Sequence, residues 1–478
     1  MKKFIICTLA LIPALALGQS DHSLTVDKWG RDTVYTKVQH VVGFTTPGST
    51  VTFNGEAVKV YKTGSFGKKV ELSEGPNTIV VTSVYGGVSV SDTLNRFYTT
   101  DRPARPQADL PLTITTSLYV ETTEGAYFNY GKGADRLGGA KVCFVDAGIP
   151  LEVVEEYGNL YKVKVAENKY FHIPKEYTSP IDDAPVRDVT TNNWSVTNMG
   201  DFDRVAISLN TKHPYIFRQV LEDKSIVIDI YGAQCNSNWL TQRVPLGMVK
   251  YVDLEQVEYD VFRAKIFLND YSWGTKVYYQ GSTLMIDVKH QPELTLKGMV
   301  IGVDAGHGGP SSTGAVSISG LKEKELNLDM AYTLKEELEK KGAKVVLSRK
   351  DDSGMTMAER KKIFLENNVD LVISIHCNAA GSPLDVKGSS TYYKYIHNRP
   401  LAEAILLRTL ELEGVTNFGL VGNFNFSLNG PIEYPNVLVE TQFLSNPEDE
   451  ERIADPAFRK AYMKKVIKGL EDYLKSQK

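Results

Sequence analysis

Apolar and polar positions follow two rhythms along this chain. Over residues 19–296 they alternate in short runs broken by Gly, Asn and Pro, the pattern of half-buried strands. After Leu296, strand-like apolar runs at 300–305, 344–348, 371–376 and 437–440 are separated by stretches with helical spacing. In the first of these, 325–341, Leu326, Met330, Leu334 and Leu338 form one apolar stripe, and Gly342 ends it. Further helices are predicted over 356–368 and 401–413. Asn446-Pro447 supplies an N-cap and a first-turn proline for a helical tail running to Lys478. The strand–helix alternation predicts a multidomain chain. All-β N-terminal modules precede a C-terminal α/β domain over 297–478 with three layers: a twisted, mostly parallel sheet and helices on both faces.

The β-rich part divides further. Strands at 51–53, 57–61, 65–72 and 78–83 make residues 19–100 resemble an immunoglobulin-like β-sandwich. The stretch DRPARPQADL, 101–110, reads as a linker whose prolines hold it extended. Residues 111–180, with strands at 151–155, 160–165 and 169–173, resemble an SH3-like barrel. Residues 185–296 carry longer alternating runs at 204–209, 225–231, 262–268 and 283–288, with Trp239 and Trp273 as expected core anchors. Paired stretches such as RVAISL and IVIDIYGA resemble the wall-binding β-sandwich carried ahead of the catalytic domain by some cell-wall enzymes.

The N-terminus predicts export from the cytoplasm. Lys2 and Lys3 precede an apolar run over 4–17, and Ala16-Leu17-Gly18 gives a cleavage site, so residues 1–18 read as a signal peptide. That run is shorter than the roughly 20 residues of a membrane span, and no later stretch is long enough. The expected protein is therefore secreted, with the periplasm as its place. The 54 Lys and Arg against 58 Asp and Glu leave a net charge of −4, which argues against nucleic acid as a partner. Cys143, Cys235 and Cys377 survive cleavage without CxxC spacing, so neither a disulfide framework nor a cysteine metal site is indicated. Cys377 reads as a small buried apolar residue.

Candidate chemistry is concentrated after Leu296. The run MVIGVDAGHGG, 299–309, ends a strand on a glycine-rich turn that presents His307 at the carboxyl end of the sheet. His376 ends 371–376, Glu440 ends 437–440, and Glu323 sits at the entrance of the first helix. Each has a plain rival reading. A strand-end histidine is commonly structural, and a helix-start glutamate is favoured by the macrodipole alone. Glu440 is harder to dismiss, because a carboxylate after an apolar strand is costly to bury unless paired or functional. If the strands are parallel, His307, His376 and Glu440 share one sheet edge and Glu323 can come alongside. Two imidazoles and a carboxylate compose a catalytic zinc site with one position open, and the remaining carboxylate can move protons. The scattered His22, His40, His172, His213 and His290 form no such cluster.

The stretches VDAGHGG, GAVSISGLKEKELNL, KVVLSRKDD, TMAERKKIFLENN, LVISIHCNAA, KGSSTYYK and YPNVLVETQFLSNPEDEERI resemble the zinc-dependent N-acetylmuramoyl-L-alanine amidases of cell-wall turnover across 298–478. The resemblance implies His307, Glu323 and His376 as ligands of one catalytic Zn2+ and Glu440 as the catalytic carboxylate. It implies hydrolysis of the amide between N-acetylmuramic acid and the L-alanine of the stem peptide. Asn378 is a candidate for bonding substrate or for a turn, and Arg349 and Arg360 are expected to pack or pair. Two departures stand out. Pro310-Ser311-Ser312-Thr313 replaces the family's usual aspartate and proline after GHGG, and the 63 residues between His376 and Glu440 leave no room for the long inhibitory helix of some members. The implied protein is a monomer with peptidoglycan as its partner, and an activator or division-site protein is a further candidate partner. A zinc peptidase on another wall amide, or a wall-binding scaffold with an inactive amidase domain, remain alternatives.

Overall fold

The computed structural model describes residues 22–27, 32–104, 112–134, 137–187 and 189–478. The expected signal peptide and residues 105–110 of the expected linker lie outside these. The chain forms two compact units, Met1–Arg102 and Pro103–Lys478.

In the first unit, Leu24–Val26, Val38–Thr45 and Ser65–Glu71 make a three-stranded sheet. A second sheet of five strands is built on the hairpin of Gly75–Tyr85 and Val88–Tyr98. Strand alternation decides what is buried: Ile79 and Val81 join Val41, Val51, Phe53 and Phe66 in the core, while Thr78 and Val80 face solvent.

The second unit begins with a seven-stranded antiparallel sheet running from Leu112–Thr122 to Thr178–Ile181. Two further sheets follow, of five and four strands, with a short two-stranded one beside them. Phe202–Ser208, which holds most of RVAISL, lies in the five-stranded sheet, and Ser225–Tyr231 lies in the four-stranded one. One apolar core runs through the three larger sheets, from Val120 and Phe128 to Ile228 and Ile286. The expected boundaries near 180 and 296 therefore fall inside a single compact unit.

Two expectations about anchors change. Trp239 is 62% exposed, because it precedes Leu240–Arg243, an edge strand with its side chains facing outward; Trp194 is the buried indole of that region. Trp273 is buried, but among the residues of the C-terminal core.

That C-terminal region is an α/β arrangement. Its elements are β1 (Val300–Ala305), α1 (Glu323–Glu339), β2 (Lys344–Leu347), α2 (Met357–Glu366), β3 (Leu371–Asn378), β4 (Ser389–Tyr392), α3 (Arg399–Thr409), β5 (Asn417–Val421), β6 (Asn436–Phe443), α4 (Pro447–Ala454) and α5 (Pro456–Ser476). The strand order is β2-β1-β3-β6-β4-β5. All neighbours are parallel except β6 and β4. Ile301, Val303, Ile373, Ile375, Val437 and Val439 pack with α1, α3 and α5. On the other face, Val300 and Val372 pack against Phe364 of α2.

Helix ends follow their caps. Thr356 and Glu359 form a capping box at the start of α2. The expected single tail is two helices, because Pro456 has no N–H to continue a ladder and Asp455, in extended conformation, caps α5 by accepting from the Ala457 N–H. β5 was not expected: its Gly419 and half-exposed residues blur the apolar run. No described helix is long and apolar enough to cross a membrane, and Cys143, Cys235 and Cys377 are free thiols.

Candidate metal centre

The carboxyl ends of β1, β3 and β6 bring the four singled-out residues together. His376 and Glu440 are register partners on adjacent parallel strands. Their side chains share the face that carries α2, two steps beyond Ser374 on β3. His307 follows the turn after β1 and holds a left-handed φ of 62°. Glu323 is the first residue of α1 and is 3% exposed.

One carboxylate oxygen of Glu323 lies 2.9 Å from His376 Nδ1 and 3.2 Å from His307 Nε2. The same oxygen accepts the Cys377 N–H at 3.1 Å and the Asn327 side-chain amide at 3.2 Å. The other accepts the Ala315 N–H at 2.7 Å. Burial pushes the Glu323 carboxyl up, but the bonds from His307 and His376 outweigh it and hold the group well below the usual carboxylate range. Burial opposes charge on His376, yet Glu323 beside it, with Glu440 and Asp304 further off, raises its pKa to about 9.

Two glycines make this closeness possible. A Cβ on Gly306 would stand 2.3 Å from the His376 ring, and one on Gly314 would stand 2.4 Å from the Glu323 carboxylate. Neither position admits a larger residue without moving a member of the cluster.

Buried arginines fix the loop that carries His307. Arg349 donates to the carbonyls of Ala305, Gly306 and Lys324 at 2.8, 3.1 and 2.6 Å. Arg360, from α2, donates to the Asp304 carboxylate at 2.6 Å and to the carbonyls of Ala305 and His307 at 2.7 and 2.5 Å. Ser374 donates to the other Asp304 oxygen at 2.6 Å. Lys324 ties Gly309 O to the Asp352 carboxylate. The unusual loop after GHGG contributes as well: the Ser312 carbonyl accepts the Gly308 N–H, and its hydroxyl lies 3.2 Å from His307 Nδ1. A partner on the second ring nitrogen sets the tautomer and ring orientation of a metal-binding histidine.

The ligand atoms of His307, Glu323 and His376 all lie within 4.8 Å of one another. This donor set, two imidazoles and a carboxylate converging at the mouth of a sheet, fits a catalytic zinc ion. Glu440, 6% exposed, stands beside it. Asn378 is not part of the cluster. Its side-chain oxygen accepts the Ala379 N–H at 2.8 Å, and its amide donates to the Tyr392 hydroxyl at 3.2 Å. Cys377 is buried in the opposite core, near Thr441 and Asn327. Asn327 is a contributor that the sequence reading missed. It stands four residues after Glu323, one helical turn on, and bonds both that carboxylate and Gly306 O.

A profile of the N-acetylmuramoyl-L-alanine amidase family matches residues 301–472. The germination-specific N-acetylmuramoyl-L-alanine amidase of Bacillus subtilis is 30% identical over 198 residues, covering 38% of this chain and 81% of that protein. The chain belongs to the N-acetylmuramoyl-L-alanine amidase family. The resemblance carried by the seven stretches thus holds, and the C-terminal domain is a peptidoglycan-hydrolysing amidase domain. The uncharacterized protein YqiI of Bacillus subtilis is also 30% identical, over 182 residues that make up 37% of this chain and 86% of that one. Among solved structures, the catalytic domain of the amidase CwlV from Bacillus (Paenibacillus) polymyxa is 31% identical, with a TM-score of 0.35, over 38% of this chain and 99% of that chain. The amidase match begins at Ile301, so residues 22–300 are outside it.

Proposed function

We propose that this protein is an exported, zinc-dependent amidase that cleaves the bond between N-acetylmuramic acid and the L-alanine of the stem peptide. The observation that carries the reading is the convergence of His307, Glu323 and His376 within 4.8 Å, with Glu440 in register beside His376. Held by those three residues, zinc supplies Lewis acidity that polarises a carbonyl and lowers the pKa of a water toward neutrality. The Ser312 hydroxyl, on the other ring nitrogen, holds the His307 imidazole in orientation. Glu440 takes the proton of the attacking water and gives it to the departing L-alanine amine. The water oxygen is left on the lactyl carboxyl. Asn378, beside Tyr392, borders the substrate.

The same reading places the enzyme in the periplasm as a monomer, open to control by an activator or division-site protein. Its 19–100 module is immunoglobulin-like, its 111–180 module SH3-like, and its 185–296 module a wall-binding sandwich.

The test is digestion of purified cell walls by the mature protein with zinc, with chelator, and as Glu440→Gln. Mass spectrometry should find free stem peptides beginning at L-alanine, lost in both controls. Peptides cut elsewhere would reassign the substrate to another wall amide. No cleavage by a zinc-loaded protein would leave a wall-binding scaffold.

A further inference from the structure

Between β5 and β6 the chain folds back over the active face of the sheet. Asn423 turns it with a φ of 54°, and the Phe424 N–H then donates to Tyr393 O at 3.1 Å. The rings of Phe424 and Phe426 meet edge to face at 4.5 Å, and both reach Tyr392, at 4.8 and 5.5 Å. Tyr392 shares its face with Glu440, because Ser390 is the register partner of Glu440 and Tyr392 is two residues on. Its hydroxyl accepts from Asn378, two residues past His376. The three rings therefore lie on the Glu440 side of the site, beyond β6, with the Tyr392 hydroxyl reaching the β3 residue Asn378.

The loop that carries two of these rings is held by Lys394. Its Nζ donates to Asn423 Oδ1 at 2.8 Å, Asn425 Oδ1 at 3.2 Å and the Lys141 carbonyl at 2.6 Å. The Asn425 amide in turn donates to Gly139 O at 2.7 Å. Lys141 opens the strand Lys141–Phe144 of the seven-stranded sheet, so the tie joins the catalytic domain to the β-region more than 250 residues upstream in the chain. Lys394 is 8% exposed, and all three of its donors go to uncharged acceptors. Burial, reinforced by the charge of Lys141, pushes its pKa down to about 8. Packing alone would be served as well by an apolar side chain, without the cost of a buried ammonium.

We propose that Lys394 is a positioning residue for hydrolysis: by tying residues 423–426 to the β-region at 139–141, it fixes the half-buried rings of Phe424 and Phe426, backed by the buried Tyr392, as the wall against which a pyranose ring of the glycan packs. This rests on the amidase reading. An aromatic face offers an apolar surface to the C–H face of a sugar, and a wall that binds without reacting acts on KM rather than kcat.

The test uses the full mature chain and a soluble muramoyl-peptide, with amide hydrogen exchange over 421–428 as a second readout. Lys394→Met should fold with unchanged melting temperature and zinc content. KM should rise about tenfold, the order of one or two positioning hydrogen bonds, with kcat within about twofold. Exchange over 421–428 should accelerate about tenfold or more. Lys394→Arg, which keeps the charge and donors, should recover part of both. A folded Lys394→Met with wild-type KM and exchange overturns the proposal. So does a loss of kcat, zinc and melting temperature together, which is the mark of a purely structural lysine. If Lys394→Met does not fold, the double variant Asn423→Ala, Asn425→Ala removes both loop acceptors of Lys394 and the bond to Gly139, and a normal KM there overturns the proposal equally. If the wild-type chain releases no stem peptide, the amidase reading fails, while the exchange contrast still decides whether Lys394 holds the loop.

Discussion

Arg360 and Asp304 form a fully buried ion pair at 2.6 Å on the face of the sheet that carries His376 and Glu440. The pair is a bracket for the metal centre, because Arg360 also holds the His307 carbonyl. Arg360→Met leaves the Asp304 carboxylate buried with only Ser374 and Ser348 for partners. Stability should fall by about 3–5 kcal/mol, the usual effect of removing one member of a buried pair. The urea midpoint of the full chain reads this. The double variant Arg360→Met, Asp304→Leu should recover much of the loss without restoring zinc affinity, since His307 would still lack its anchor.

Gly306 and His376 make the next prediction. A methyl group on Gly306 would occupy the space of the His376 ring at 2.3 Å. Gly306→Ala should keep the fold, because Gly306 lies in the turn beyond β1 rather than in the apolar core, yet lower zinc uptake to a small fraction of the wild-type chain's. Metal analysis after dialysis checks this. A variant that retains full zinc would show that the ring can shift and still bind.

How much of this centre was legible in the sequence depends on the range of each contact. The strand-end positions of His307, His376 and Glu440 follow from apolar runs that stop where the sheet meets solvent, and local pattern is enough to see them. Glu323 was harder, because several acids lie near it and a helix-start carboxylate has a plain macrodipole reading; the family motif strengthened its place. Asn327 and Lys394 escaped notice because their partners are set by tertiary contact: an isolated asparagine on a helix and a lysine after a strand carry no periodic signal. Trp239 and Trp273 looked alike in sequence. One precedes an edge strand and is exposed, while the other reaches a neighbouring core, a difference fixed only when the sheets assemble.

His397 gives a pH prediction. It is 6% exposed, and its backbone N–H donates to the Gln219 side chain on Tyr215–Val220 at 3.2 Å. Burial pushes its pKa down to about 4, against about 6.5 in an unfolded chain. The unfolded state therefore binds the extra proton first. The stability this neutral histidine provides is complete above about pH 6.5 and is lost as pH falls through about 4, amounting to on the order of 3 kcal/mol. Urea midpoints at pH 7, 5.5 and 4.5 should converge between wild type and His397→Asn as acid is added. Parallel curves at all three would assign the acid sensitivity elsewhere.

Trp273 bears on whether the β-modules restrain the catalytic domain or support it. Its indole N–H donates to Asp370 O at 2.8 Å, and its ring stacks on Tyr473 of α5 at 5.9 Å. Lys289 adds an ion pair to Asp370, and the Thr275 N–H donates to Ile432 O. These contacts reach Asp370, which leads into β3, and the segment leading into β6, the two strands that carry His376 and Glu440. Trp273→Ala should cost about 3–5 kcal/mol, as for other large buried aromatic truncations. Residues 297–478 expressed alone would lose every one of these contacts and should be less stable and less active than the full chain. Side-by-side thermal melts and wall digestion compare them. Higher activity of the isolated segment would instead identify the β-modules as its inhibitor, and the Trp273 contacts as the means by which they hold it.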